Sequence, residues 1–190
     1  MTNKDTSKNQ ILEQALYYAE KLGWSIIPTG KNKKPLISWK KYQKEKATKE
    51  QITSWFSKYP DAGIAVITGK ISNIVVIDID PRHGGSNEDF KEIHTQFVKT
   101  GGGGWHYYFQ YEEGIQNHAG IKPGIDVRGE GGYAILPPSS HESGINYKWV
   151  VNPNGNVAIS NIPQFVKDLI TKPNSNRSIG KFDNKVLNGV

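Results

Sequence analysis

The chain has 190 residues, 36% of them hydrophobic and 11% aromatic, enough for one packed domain with at most a tail. It has no cysteine, which excludes disulfides, thiol catalysis, iron–sulfur clusters and Cys-based zinc sites. Its net charge is +6: residues 1–60, with twelve Lys and five acids, carry +7, and residues 61–190, with twelve bases and thirteen acids, carry −1.

That excess lies mostly between Lys31 and Lys58. It suits an anionic partner (nucleic acid, nucleotide or lipid headgroup), or a plain solvated surface. No run of eighteen apolar residues is present to span a membrane, and MTNKDTSKNQ lacks the apolar core of a signal peptide. A cytoplasmic chain with no membrane partner is expected.

Residues 1–9 read as a flexible start. Over 11–22, Ile11, Leu12, Ala15, Leu16, Ala19 and Leu22 form one helical stripe, closed by Gly23. A short strand, Trp24 to Ile27, is expected to end at Pro28, and TGKNKKP reads as a basic loop. Thr48 with Gln51 forms a capping box for a helix through Lys58. GIAVIT (63–68) and SNIVVIDID read as buried strands joined at Gly69–Lys70. Ser86 is expected to cap a third helix bearing Phe90, Ile93 and Phe97. Strands follow at 105–111, 125–129, 132–138 and 146–151, then a helix from near Pro163 to about Thr171. Residues 172–190, rich in Asn, Ser and Lys, read as a flexible linker. The expected fold is α+β, with a mixed or antiparallel central sheet and flanking helices.

Three segments carry candidate chemistry. Asp78 and Asp80, two apart on a strand, share a face while Ile77 and Ile79 take the other. Such a pair fits a divalent cation site, or a strand running out into a turn at Asp80–Pro81. His106 follows four glycines. Gly103 and Gly104 can bring backbone N–H groups to phosphate oxygens, and His106, facing opposite to Trp105, Tyr107 and Phe109, fits a contact to triphosphate or metal, or a plain surface His after a flexible glycine loop. Asp126 and Arg128 share the open face of a strand that buries Ile125 and Val127. They fit a local ion pair, or a third metal ligand beside a phosphate-binding guanidinium. GEGGYAILPPSS then leads directly to His141. Three carboxylates, a His and nearby cations are the parts needed for metal-assisted phosphoryl or nucleotidyl transfer, in which two ions stand about 3.5–4 Å apart.

IDID, GGGGWHYYF and IDVRGEGGYAILPPSSHESGINYKW together resemble the three motifs of the bifunctional primase-polymerase domain of the archaeo-eukaryotic primase superfamily. The likeness covers roughly residues 10–170, so residues 10–171 are expected to be the catalytic domain. It implies an RRM-like catalytic core in which Asp78, Asp80 and Asp126 are the catalytic acids, holding two Mg2+ or Mn2+ ions. His106 would contact the triphosphate of an incoming NTP or dNTP. Gly104 stands where many relatives have Ser, leaving only a backbone N–H for a phosphate. Arg128, Ser139 and His141 fall in the same neighbourhood, and Lys34 or Lys33 would neutralise triphosphate or template charge. The basic segment, with Lys31, Lys33, Lys40 and Lys41, would lie along DNA.

The activity so implied is a DNA-dependent nucleotidyltransferase that makes and extends primers on single-stranded DNA in a plasmid, phage or other mobile element. A helicase domain or subunit is the expected companion. Two other readings use the same residues: a replication-initiator module that binds DNA or nucleotide without catalysis, and a metal-dependent nuclease that activates water.

Overall fold

In the computed structural model, which describes residues 3–171 with side chains from Gln10 onward, two antiparallel sheets and three helices form an α+β fold. The tail expected at 172–190 lies outside the described residues. The first helix, α1, spans Asn3–Glu20 and so begins upstream of the expected Ile11. Its end follows the sequence signal: Gly23 takes φ +67° and the Trp24 N–H donates back to the Tyr18 carbonyl at 3.0 Å. Helix α2, Lys49–Lys58, opens with the expected capping box, in which Thr48 and Gln51 each receive the other's backbone N–H. Helix α3 spans Gln164–Thr171.

The smaller sheet has the order β1-β2-β8, built from β1 (Ser25–Thr29), β2 (Gly63–Ile67) and β8 (Tyr133–Leu136). Pro28 lies inside β1 rather than ending it. β1 is an edge strand, where a missing N–H costs no ladder bond. The larger sheet has the order β6-β7-β3-β5-β4-β9. Its members are β3 (Ile74–Ile79), β4 (Phe97–Lys99), β5 (Trp105–Gln110), β6 (His118–Lys122), β7 (Ile125–Arg128) and β9 (Lys148–Val151).

The helix expected after Ser86 does not form. Only a 3-10 turn, Glu88–Phe90, is present, and Phe97 belongs to β4, paired with Tyr107. The free edge of β5 captures this segment, and Thr95 Oγ1 anchors it by donating to the Tyr108 carbonyl at 2.6 Å. Phe90, Ile93 and Phe97 still reach one apolar cluster, so their spacing reported burial but not conformation. Strands β4 and β6 had no expected counterpart.

Alternation along β3 divides the core in two. Val75, Ile77 and Ile79 join Tyr107, Phe109 and Val127 on the face covered by α3, which contributes Val166. Ile74 and Val76, with Tyr108 of β5, face the other way into a cluster shared with the small sheet, α1 and α2. The next residue on that second face is Asp78, where the apolar filling gives way to a cleft between the sheets.

Candidate active site

Three ladder positions make the floor of this cleft. Asp78 on β3 is in register with His106 on β5 and with Asp126 on β7. Residues directly opposite in a sheet share a face, so one row reads His106–Asp78–Asp126. The cleft encloses about 680 Å3 and is walled on the small-sheet side by Tyr133, Ala134 and Ile135.

Arg128, two residues beyond Asp126 on the same face, bridges the acids. Its Nη2 donates to Asp78 Oδ2 at 3.1 Å and to Asp126 Oδ2 at 2.8 Å. His106 Nε2 lies 3.4 Å from Asp78 Oδ1. Burial would raise the Asp78 carboxyl, but His106 and Arg128 outweigh it and hold the group well below the usual carboxylate range. Asp126 Oδ1 accepts the Gly120 N–H at 2.7 Å, an anchor supplied by β6.

Asp80 stands just past the end of β3 and turns aside. Its carboxylate takes the Arg82 backbone N–H at 2.9 Å and the Arg82 guanidinium through Nε at 3.0 Å and Nη2 at 2.8 Å, with His83 Nδ1 at 3.1 Å. The Arg82 hydrogen bond is the main reason its carboxyl is lowered to about 2.

The glycine run packs against the turn that carries His141. A Cβ on Gly101 would stand 2.2 Å from His141 Cβ and 2.3 Å from the Ile145 carbonyl oxygen, so only glycine permits this approach. His141 is buried, and its imidazole is pushed down chiefly by desolvation and also by the charge of Lys33. Tyr147 stands between the two imidazoles, 5.7 Å from His106 and 6.1 Å from His141 between ring centroids. Burial, and then the Asp78 charge, push its phenol well up, so it stays a neutral hydroxyl.

Asp78, Asp80, His106, Asp126, Arg128, His141 and Lys33 all border the cleft. Others do not reach it. Ser139 commits its hydroxyl to Ile64, accepting the N–H at 2.7 Å and donating to the carbonyl. The Gly104 N–H, expected to remain for phosphate, donates to Thr100 Oγ1 at 2.9 Å, and the Gly103 N–H goes to the Thr100 carbonyl. A Cβ at position 104 would lie 2.2 Å from the Ile79 carbonyl oxygen, so this backbone has no room for Ser there. Lys33 rather than Lys34 borders the cleft, and Lys31, Lys34, Lys40 and Lys41 are exposed. Sequence reasoning missed Arg82, Gly102 and Tyr147 as wall residues. For Arg82 a signal was available, since a residue two beyond an Asp at a turn is placed to donate to it.

The donor chemistry suits a hard divalent cation in part. Two carboxylate oxygens, from Asp78 and Asp126, converge on one point now held by a guanidinium nitrogen. The full set of three acids is not gathered, because Asp80 is bound to Arg82. Among the described residues no group of three or more acidic, His or Cys side chains is placed to hold a metal ion. No helix among them is long and apolar enough to cross a membrane.

A search of curated proteins found no match to the chain. The sequence model of one protein family, described as bifunctional DNA primase/polymerase, N-terminal, matches residues 15–165, a span that contains both sheets and every cleft residue named above. The chain therefore belongs to the bifunctional DNA primase/polymerase family, and its function is of the primase/polymerase type.

Proposed function

We propose that residues 10–171 form a DNA-dependent nucleotidyltransferase that synthesises and extends primers from NTPs or dNTPs. The observation that carries this reading is the cross-strand row His106–Asp78–Asp126 on the floor of a cleft bordered by Arg82, Arg128 and Lys33. The acids on the cleft floor would meet cations, and the basic groups around them would meet a triphosphate.

In the reaction the 3′-hydroxyl of a primer, or of a first nucleotide, attacks the α-phosphorus and pyrophosphate leaves. Asp78 and Asp126, joined by Asp80 once it leaves Arg82, would hold two Mg2+ or Mn2+ ions. Such ions supply Lewis-acid activation of the hydroxyl and stabilisation of the leaving oxygen. His106, held by the β5 ladder beside Asp78, would donate a hydrogen bond to the triphosphate. Exposed Lys31, Lys40 and Lys41 would carry the template strand by phosphate contacts. The motif resemblance supports a setting in mobile-element replication beside a helicase.

The test is a single-stranded template with labelled nucleotides and Mn2+ or Mg2+, with and without an annealed primer, comparing wild type with Asp78→Ala. Products that disappear in the variant support the proposal. Absence of wild-type products overturns it. A second reading, a non-catalytic module that binds DNA or nucleotide, is favoured by one observation: both Arg128 and Arg82 already neutralise the acids without a cation. DNA binding without turnover would select that reading.

A further inference from the structure

Asp80 has a pinned backbone, and every partner of its carboxylate among the described residues lies on Arg82 or His83. Its N–H donates to the Gly124 carbonyl at 2.7 Å, and its own carbonyl accepts the Gly85 N–H at 3.0 Å. Close packing enforces this: a Cβ on Gly85 would stand 2.4 Å from the Gly124 carbonyl oxygen and 2.8 Å from that of Asp80. With the main chain held, the carboxylate can leave Arg82 only by rotation of its own side chain within the cleft it borders with Asp78 and Asp126.

Arg82 has the matching ambiguity. It spends Nε and Nη2 on Asp80, yet the same guanidinium borders the cleft at the glycine run. An ideal Cβ on Gly102 would lie 3.1 Å from Arg82 Nη2 and 3.3 Å from His141 Nε2, so both nitrogens flank one point. His141 is 4% exposed and its Nδ1 accepts the Ser143 backbone N–H at 3.1 Å, which places the proton of the neutral ring on Nε2. That buried Nε2 has no hydrogen-bond partner among the described residues, the Glu142 carboxylate standing at 3.8 Å. Lys33 borders the same cleft. A buried N–H donor without an acceptor, beside a guanidinium and an ammonium, is a place for an anion.

We propose that Arg82 is an exchangeable counter-ion: it neutralises Asp80 in the free chain and passes to a polyphosphate beside His141 and Gly102 when Asp80 turns to a divalent cation. The identity of that anion as a nucleotide's phosphates rests on the nucleotidyl-transfer reading above. One side chain then links two ligands. Each ligand raises the affinity for the other, because each releases the group the other needs, and the coupling is reciprocal by thermodynamic necessity.

The test uses the full chain and two probes offered separately: Mn2+ alone, followed by the resonance of the free ion, and inorganic tripolyphosphate alone in EDTA, followed by calorimetry. Arg82→Gln is expected to weaken tripolyphosphate about tenfold, the loss of a charge-assisted contact, and to tighten Mn2+ by about three- to tenfold. Opposite signs are the signature, since a merely structural role would shift both the same way. Lys33→Gln removes the same charge without touching Asp80 and is expected to leave Mn2+ within about twofold. Asp80→Asn is expected to tighten tripolyphosphate in wild type but not in an Arg82→Gln background.

Shifts of equal sign, a Mn2+ gain in Lys33→Gln as large as in Arg82→Gln, or an Asp80→Asn gain that survives without Arg82 would each overturn the exchange. Should Arg82→Gln fail to fold, Arg82→Lys, which keeps the charge and loses the fork, is expected to move both affinities part of the way. Primer extension by wild type separates the two proposals. Opposed shifts without incorporation overturn nucleotidyl transfer alone, and incorporation without opposed shifts overturns the exchange alone.

Discussion

Asp78 and Asp126 stand directly opposite each other across β3 and β7, and a single nitrogen of Arg128 donates to an oxygen of each. Like charges facing each other in a sheet repel, so Arg128 offsets a conflict that the ladder imposes. Arg128→Gln is expected to destabilise the fold by about 1–3 kcal/mol, below the full cost of a deeply buried pair because these groups are part-exposed. Calorimetry should show a fall in Tm of about 2–12 °C. Added Mn2+ should recover more of that loss in the variant than it adds to wild type.

Asp78→Asn should separate folding from activity. Arg128 keeps Asp126 as its partner, so no buried charge is orphaned and the thermal transition should remain cooperative. Nucleotide incorporation is expected to fall at least about a hundredfold, the scale of several kcal/mol of lost charge stabilisation. Wild-type-like primer extension by this variant would remove Asp78 from the catalytic set.

The pH dependence of stability should show Asp80. Its carboxyl is lowered from 3.8 to about 2 in the folded chain, so its contribution is fully present above the unfolded value and is lost as pH falls through about 2. Tm measured between about pH 4 and pH 2 should therefore fall less steeply in Asp80→Asn than in wild type. Asp78 is lowered as well, so the variant should still lose stability in acid. Identical slopes would mean that the Asp80–Arg82 pair does not contribute to folding.

Gly101→Ala places a methyl group 2.2 Å from His141 Cβ. The 100–104 loop or the His141 turn must then shift, at a cost of about 2 kcal/mol or more and a fall in Tm of about 4–8 °C. Because Ser143 Oγ also donates to the Gly101 carbonyl at 2.8 Å, the shift should reach His141. Tripolyphosphate affinity is expected to drop with stability. Gly103→Ala, where nothing lies within 4 Å of a Cβ, should leave that affinity intact and cost only the strain of φ +87°.

Lys40 and Lys41 project into solvent on a 3-10 turn, with Lys41 Nζ 4.8 Å above the Tyr42 ring. If they contact template phosphates, Lys40→Gln with Lys41→Gln should reduce the slope of log affinity against log salt on single-stranded DNA by about 0.7 for each contact removed. An unchanged slope would place the strand elsewhere.

Local chemistry makes much of this protein legible in its sequence. The Gly23 stop, the Thr48–Gln51 box and the alternation of Ile77, Asp78 and Ile79 depend on neighbours within a few residues, where periodicity and capping act directly. The glycine run, His106 and the IDVRGEGGYAILPPSS segment point to the right family for the same reason. What only the tertiary structure decided is partnership across the chain. The pairing of β5 with β4 drew residues 97–99 out of a helical pattern, and the Ile64 main chain claimed Ser139. The Asp78 carboxylate took the Arg128 guanidinium from fifty residues away. Each of these is a competition for one hydrogen-bonding group, and its winner is set by which segments the sheet order brings within about 3 Å, a quantity no local pattern encodes.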